Sequence, residues 1–373
     1  MSRSLLTPGL QSWLQTHAQS LNADADAAQQ VLAQLVQAGM HRIAVPQAFG
    51  GDGGEAIDAV DAIAQVAERS VTAAFVLWSH RAFIDYLCLT DNTAARELWL
   101  PDLLQGRLAG ATGLSNAMKF LSQLEPLQVQ ARPDGDDGLR VAGKLPWVTN
   151  LRAPFVVAAA VQTPLQPAPM VLAIDSRLAG VERSADLDLL ALRASNTAAI
   201  ELDDVRVGQE AVLARDGLSF LKRARPMFLS LQCGMSLGLA RASLQAAEQV
   251  GAARDVLHPR IDQARAELAS LRETIREGLV SGRFVTDAPA LFRVRLQLAA
   301  VVQESVQLEL QGSGGRAYLR NHLPDFGRRL QESAFIPVVT PSLTQLQGEL
   351  SKLASSAAAA TPPAAPAPER AVP

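Results

Sequence analysis

The sequence predicts an α+β chain in three parts: an N-terminal helical domain, a central β domain and a C-terminal four-helix bundle. Three observations carry that expectation. Apolar residues recur at three- and four-residue spacing before about residue 106 and again after Gly217, the pattern of helices that bury one face. Between those stretches the chain breaks into short runs, several alternating apolar with polar and divided by Pro, Gly and Asp, as strands and their turns require. The later helical segments, near 218–250, 257–281 and 288–311, have the length of bundle helices.

In chain order, Val31, Leu32, Leu35 and Val36 mark one early helix face and Leu98, Leu100 and Leu104 another, with Gly39 stopping the first group. VPQAFGGDGG, residues 45–54, is a loop whose glycines supply special backbone angles. The runs LQVQA, LRVAG, FVVAAAV, MVLAI and AIELDDVRV then read as strands. After the long helices come a glycine turn, QGSGGRAYLRNHLPDF, and the segment RRLQESAFIPVVTPSLTQL. The alanine- and proline-rich end reads as a disordered tail. The expected boundaries are 1–108 for the helical domain, 109–215 for the β domain, 216–355 for the bundle and 356–373 for the tail.

Composition excludes several functions. With 48% apolar and 19% charged residues and a formal net charge of −3, the chain has no field to attract nucleic acid or an anionic membrane. Cys88 and Cys233 are its only cysteines, far apart and outside any CxxC pair, which argues against a disulfide framework and a thiolate metal site. No metal is expected. The opening MSRSLLTPGLQSWLQ is polar where a signal peptide needs an apolar run, and no stretch of about 18 apolar residues occurs. The expectation is a soluble cytoplasmic protein.

Five local signatures, in order, resemble those of the acyl-CoA dehydrogenase family. They are VPQAFGGDGG, LWLPDLLQGRLAGATGLS, VAGKLPWVTNLRAPFVVAAAV, LRASNTAAIELDDVRV and ARPMFLSLQCGMSLGLARASL, and the resemblance covers roughly residues 20–350. It implies an FAD-dependent oxidoreductase acting on an acyl-CoA or related acyl compound, assembled as a homodimer or homotetramer. It further implies that Trp147 packs on the isoalloxazine ring and that Thr149 hydrogen-bonds to it. An aromatic face suits stacking, and a hydroxyl can donate or accept as the ring changes redox state. The other reading of Trp147 is a sheet-edge residue packed on the bundle.

The same resemblance implies further cofactor contacts: Ser115, Asn116 beside the pyrimidine edge, Ser122 near the pyrophosphate, Arg254 on a phosphate, and Gln311, Gly314 and Gly315 on the adenosine side. A helix-ending glycine turn explains the last two glycines equally well. Lys119 and Leu121 stand where the family has glycines, so the pocket there must differ in shape.

Desaturation of an acyl thioester needs a carboxylate to take the α-proton. The family's two customary positions for it read Val338 and Ala224 here. Glu332, Asp325 and His322 are the nearby groups that could swing in instead, each read foremost as a solvated residue near a helix end. His80 and Arg81, in WSHRAF, and Arg223 and Arg225, in KRARPMF, are the candidate substrate-side polar groups. The alternatives are a flavin-dependent monooxygenase, which needs no such base, and a non-catalytic assembly or binding homologue.

Overall fold

The computed structural model describes residues 4–135, 138–164, 166–249, 254–319 and 322–360. Five helices come first: α1 (Pro8–Ala23), α2 (Ala28–Gln37), α3 (Ala56–Ala67), α4 (Val71–Leu89) and α5 (Thr93–Leu104). Their starts follow local chemistry. Thr7, Ser70 and Asn92 each accept a hydrogen bond from an early amide of α1, α4 and α5, satisfying donors that have no partner within the helix. Helix α4 is buried along nearly its whole length, so its apolar residues surround it instead of forming a stripe.

The strands are β1 (Ala109–Thr112), β2 (Val129–Asp134), β3 (Gly138–Val148), β4 (Phe155–Thr163), β5 (Gln166–Asp175), β6 (Val181–Arg183), β7 (Ala198–Val207) and β8 (Val212–Ala214). They form one eight-stranded sheet in the order β6-β7-β3-β2-β4-β5-β8, with β1 parallel to β4. All five runs read as strands lie in this sheet. One element was not expected: residues after β1 form a short helix, α6 (Ser115–Leu121). Asn116, Ala117, Met118, Lys119 and Phe120 thus lie on a helix where the resemblance implies a glycine-bearing approach to a ligand.

The C-terminal helices are α7 (Gly217–Glu248), α8 (Arg254–Val280), α9 (Arg283–Thr286), α10 (Ala288–Ser313), α11 (Pro324–Phe335) and α12 (Leu343–Ala360). Helices α7, α8 and α10 pack on one another, and α11 and α12 close on α10. The helix α12 continues through Ala360, beyond the boundary expected for the disordered tail, and residues 361–373 lie outside the described residues. Helix α7 also packs on α3, and two glycines permit it. A Cβ on Gly234 would lie 2.6 Å from the Val60 carbonyl oxygen, and one on Gly238 would meet the backbone of Ala64. A side chain at either position would force the helices apart. Among the described residues, no helix is long and apolar enough to cross a membrane.

Candidate functional site

Strand β3 ends in the quoted motif, and its geometry follows from its residues. Pairing with β7 is irregular between Leu145 and Val148, a break that re-aims side chains. Trp147 is left 59% exposed while Val148 is buried. Asn150 then takes a left-handed conformation, φ 66°, which asparagine tolerates better than most residues, and its side-chain amide donates to the Gly110 carbonyl at 2.9 Å. The strand end is thereby tied to β1. Thr149 is buried, and its hydroxyl is 2.9 Å from that of Thr197, which is 2.7 Å from that of Ser195. Ser79 of α4 donates to the Thr149 carbonyl at 3.0 Å.

Trp147, Thr149 and Thr197 line a cleft of about 600 Å³ between sheet and helices. Its sheet side carries further neutral hydroxyls, Thr112 and Ser115, and Thr112 is 3.0 Å from the Tyr86 hydroxyl. Burial pushes the Tyr86 phenol up, so it stays protonated. The helix side is aromatic. Phe75 and Trp78 stack at 5.3 Å between ring centroids, Phe335 meets Phe75 edge-on at 4.7 Å, and Phe228 meets Trp78 edge-on at 5.0 Å. Such offset and edge arrangements suit the ring quadrupoles and hold the wall rigid. Leu189, Leu190, Ala191 and Leu192 add an aliphatic side.

Among the described residues lining this cleft there is no Asp, Glu or His. Lys119 is the one charged side chain among the described residues of the lining, and its ammonium lies 3.0 Å from the Glu125 carboxylate. Val338 lines the cleft, whereas Ala224 is buried within α7 and does not. The loop bearing Val338 is fastened from behind: buried Arg295 donates to the Ile336 and Val339 carbonyls at 3.4 and 3.2 Å, and Gln232 donates to that of Thr340 at 2.9 Å. Among the described residues, no group of three or more His, Cys, Asp or Glu could hold a metal ion.

The nearby acidic and basic candidates are committed elsewhere. Glu332 is fully buried and accepts from Arg328 at 2.6 Å and from the Val71 amide at 2.9 Å; burial pushes its carboxyl up against the pull of Arg328. Asp325 accepts from Gln19 at 3.0 Å, and neither it nor exposed His322 lines the cleft.

His80 and Arg81 also lie outside the cleft, which corrects the expectation that they face a substrate. The Nδ1 of His80 accepts from the Gly110 amide at 3.0 Å and its Nε2 lies 3.2 Å from the Leu103 carbonyl. That pairing requires the neutral ring, and burial holds its pKa well below the ordinary value. Arg81 pairs with Asp85 and donates to the Ala44 carbonyl at 3.2 Å. Arg223 donates to the Leu89 carbonyl at 3.1 Å, and the Arg225 guanidinium sits 5.4 Å from the centre of the Phe292 ring. Neither lines the cleft.

Of the remaining expected cofactor contacts, Ser115 lines the cleft. Asn116 and Ser122 are buried outside its lining: the Asn116 amide donates to the Pro126 carbonyl at 3.0 Å, and its oxygen accepts from the Gln128 amide at 2.9 Å. Gln311 accepts from Arg260 at 3.1 Å, and Gly314 and Gly315 are exposed in the turn after α10, all three away from the cleft. Arg254 begins α8, and its side chain lies outside what is described. The aromatic wall, Thr197 and Gln345 were not singled out from the sequence. Thr197 lies within LRASNT, but the rings come from three separate helices, which no local pattern joins.

A flavin fits this cleft at one end only. The exposed Trp147 face and the neighbouring hydroxyls suit a flat, polar-edged ring. The polar groups of Asn116 and Ser122, by contrast, are already paired within the chain.

Residues 9–107 match the model of the acyl-CoA dehydrogenase N-terminal domain. A mitochondrial isovaleryl-CoA dehydrogenase of Pongo abelii is 24% identical over 219 residues, 57% of this chain, and the match spans only 51% of that relative's length. Among solved structures, a glutaryl-coenzyme A dehydrogenase in complex with glutaryl-CoA superposes with a TM-score of 0.79 at 16% identity, over 95% of this chain and 97% of that one. A dibenzothiophene monooxygenase from Paenibacillus superposes with a TM-score of 0.71 at 15% identity, over 93% and 95% of the two chains. Residues 9–107 thus match an acyl-CoA dehydrogenase N-terminal domain, and the chain shares the fold of these solved structures along nearly its whole length.

Proposed function

We propose that the cleft seats a flavin ring against Trp147 and that the chain is a flavin-dependent oxidoreductase whose chemistry uses no side-chain base, as in a monooxygenase. A bound flavin supplies two-electron redox chemistry and, when reduced, reactivity toward oxygen. Trp147 offers the stacking face, and Thr149 and Thr197 offer hydroxyls that can donate or accept at the ring edge. The four aromatic side chains opposite exclude water and give an apolar substrate a wall to lie on.

The observation that carries this reading is the lining itself: with Val338 at the cleft and no carboxylate or imidazole beside it, no described side chain there can take an α-proton. The likeness to isovaleryl-CoA dehydrogenase favours a second reading, dehydrogenation of an acyl-CoA with an unidentified base. The absorbance spectrum of the protein as purified, or after titration with flavin, tests the first step. Anaerobic addition of acyl-CoA thioesters then separates the two. Unchanged flavin absorbance, together with substrate-dependent oxygen uptake when reduced flavin is supplied, is the expected result; bleaching by a thioester selects the second reading. Assembly as a homodimer or homotetramer belongs to the same proposal and is read by sedimentation.

A further inference from the structure

Where α6 ends, beside cleft-lining Lys119 and Gln345, the chain makes a cluster of its own hydrogen bonds. The Ser122 hydroxyl donates toward the Met118 carbonyl at 3.0 Å and the Glu349 carboxylate, and accepts from the Gln345 amide at 2.7 Å. Gln345 also donates to the Met118 carbonyl at 3.0 Å, and Lys352 donates to the Ser122 carbonyl at 3.1 Å. Residues 345, 349 and 352 recur at helical spacing, so one face of α12 is laid along α6 and its following turn. Ser122 is 6% exposed and Asn116 5% exposed, and each has its hydrogen-bonding capacity taken up internally. A diphosphate linkage brought here would have to displace these bonds and would meet the Glu349 carboxylate, both costly in a buried setting.

Room remains for a shorter ligand. Lys119 lines the cleft and is still 41% exposed despite its Glu125 partner, so its ammonium can turn to a terminal phosphate. The other charges close to this end are Lys352 and Arg225, whose field reaches Glu349.

We infer that α12, through Gln345 and Glu349, closes this end of the cleft against a dinucleotide, so that the chain takes a flavin no longer than a mononucleotide, with Lys119 on its phosphate. The inference rests on the flavin reading of the preceding subsection but departs from the dinucleotide that the resemblance implies.

The test is equilibrium titration of the full chain with FMN, riboflavin and FAD, followed by flavin fluorescence and calorimetry. FMN is expected to bind at least tenfold more tightly than FAD. The Q345A/E349A double variant, checked for native melting, is expected to narrow that ratio, and Lys119→Met to bring FMN down to the affinity of riboflavin without changing the latter. FAD binding as tightly as FMN or more tightly overturns the inference and leaves the flavin reading standing. A ratio unmoved in the folded double variant overturns the role of α12. Failure of all three flavins to bind the folded protein overturns the flavin reading and this inference with it.

Discussion

The two faces of α11 show how this chain separates charge from its cleft. On one face Gln331, Ala334 and Phe335 line the cleft, followed by Val338 just beyond the helix end, and none is ionisable. On the other, Arg328 pairs with Glu332 at 2.6 Å and Arg329 with Glu309 of α10, all four buried. Adjacent helix residues point about 100° apart, so Glu332 lies beside Gln331 in sequence yet faces away from the cleft. Proximity in the chain is therefore a poor guide to a replacement base. The carboxylate that adjoins Gln331 in sequence is held by burial and a fixed cation.

Breaking the ionic face gives the largest expected effect. Arg329→Met leaves Glu309 buried without its partner, and denaturant titration should show a loss of about 3–5 kcal/mol. The double variant R329M/E309L should lose far less, because no uncompensated charge remains. Placing a carboxylate on the neutral side sharpens the contrast from the opposite direction. Val338→Glu should make an acyl-CoA thioester bleach the bound flavin anaerobically, roughly 100-fold faster or more than in the parent chain. Glu332→Gln, assayed for oxygen uptake, should leave the cleft chemistry intact; collapse of activity in a folded protein would erase the distinction between the faces.

Smaller effects follow from the remaining walls. Trp147→Ala should weaken flavin binding by about tenfold, the order expected for one aromatic stacking partner. Because no histidine lines the cleft among the described residues, flavin affinity should stay level between about pH 5.5 and 8, where unperturbed imidazoles titrate. Stability should not. His80 faces His41, Arg152, Arg81 and the Leu103 carbonyl, and burial depresses the pKa of both histidines. The unfolded chain then binds protons at about pH 6.5 that the folded chain refuses. Stability is full above that pH and falls below it, by up to about 1.4 kcal/mol per pH unit for each group. Urea midpoints measured from pH 7.5 down to 5.5 check the slope, and His80→Asn should flatten it.

Much of the fold was legible because its signals are local. Apolar periodicity located the helices, and alternation and turn residues located the strands, while Trp147 and Thr149, both within VAGKLPWVTNLRAPFVVAAAV, line the cleft. The misread positions depend on distant partners. The sequence points His80 to a pocket because nothing near it in the chain shows Gly110 and Leu103 arriving to occupy both ring nitrogens. The resemblance points Ser122 to a ligand, whereas α12, more than two hundred residues later, claims its hydroxyl. For α6 a local signal existed: Ala117, Met118, Lys119 and Leu121 are good helix formers, and that propensity prevailed over the loop suggested by the resemblance.

The paired glycines of α7 have a consequence for how the cleft can open. With Gly234 and Gly238 letting α7 rest backbone to backbone on α3, the first helices and the last are joined as one block, to which α4 also ties β1 through Tyr86 and Thr112. Widening at Trp147 by a movement of the sheet against that block would strain the bonds from Ser79 to the Thr149 carbonyl and between Tyr86 and Thr112.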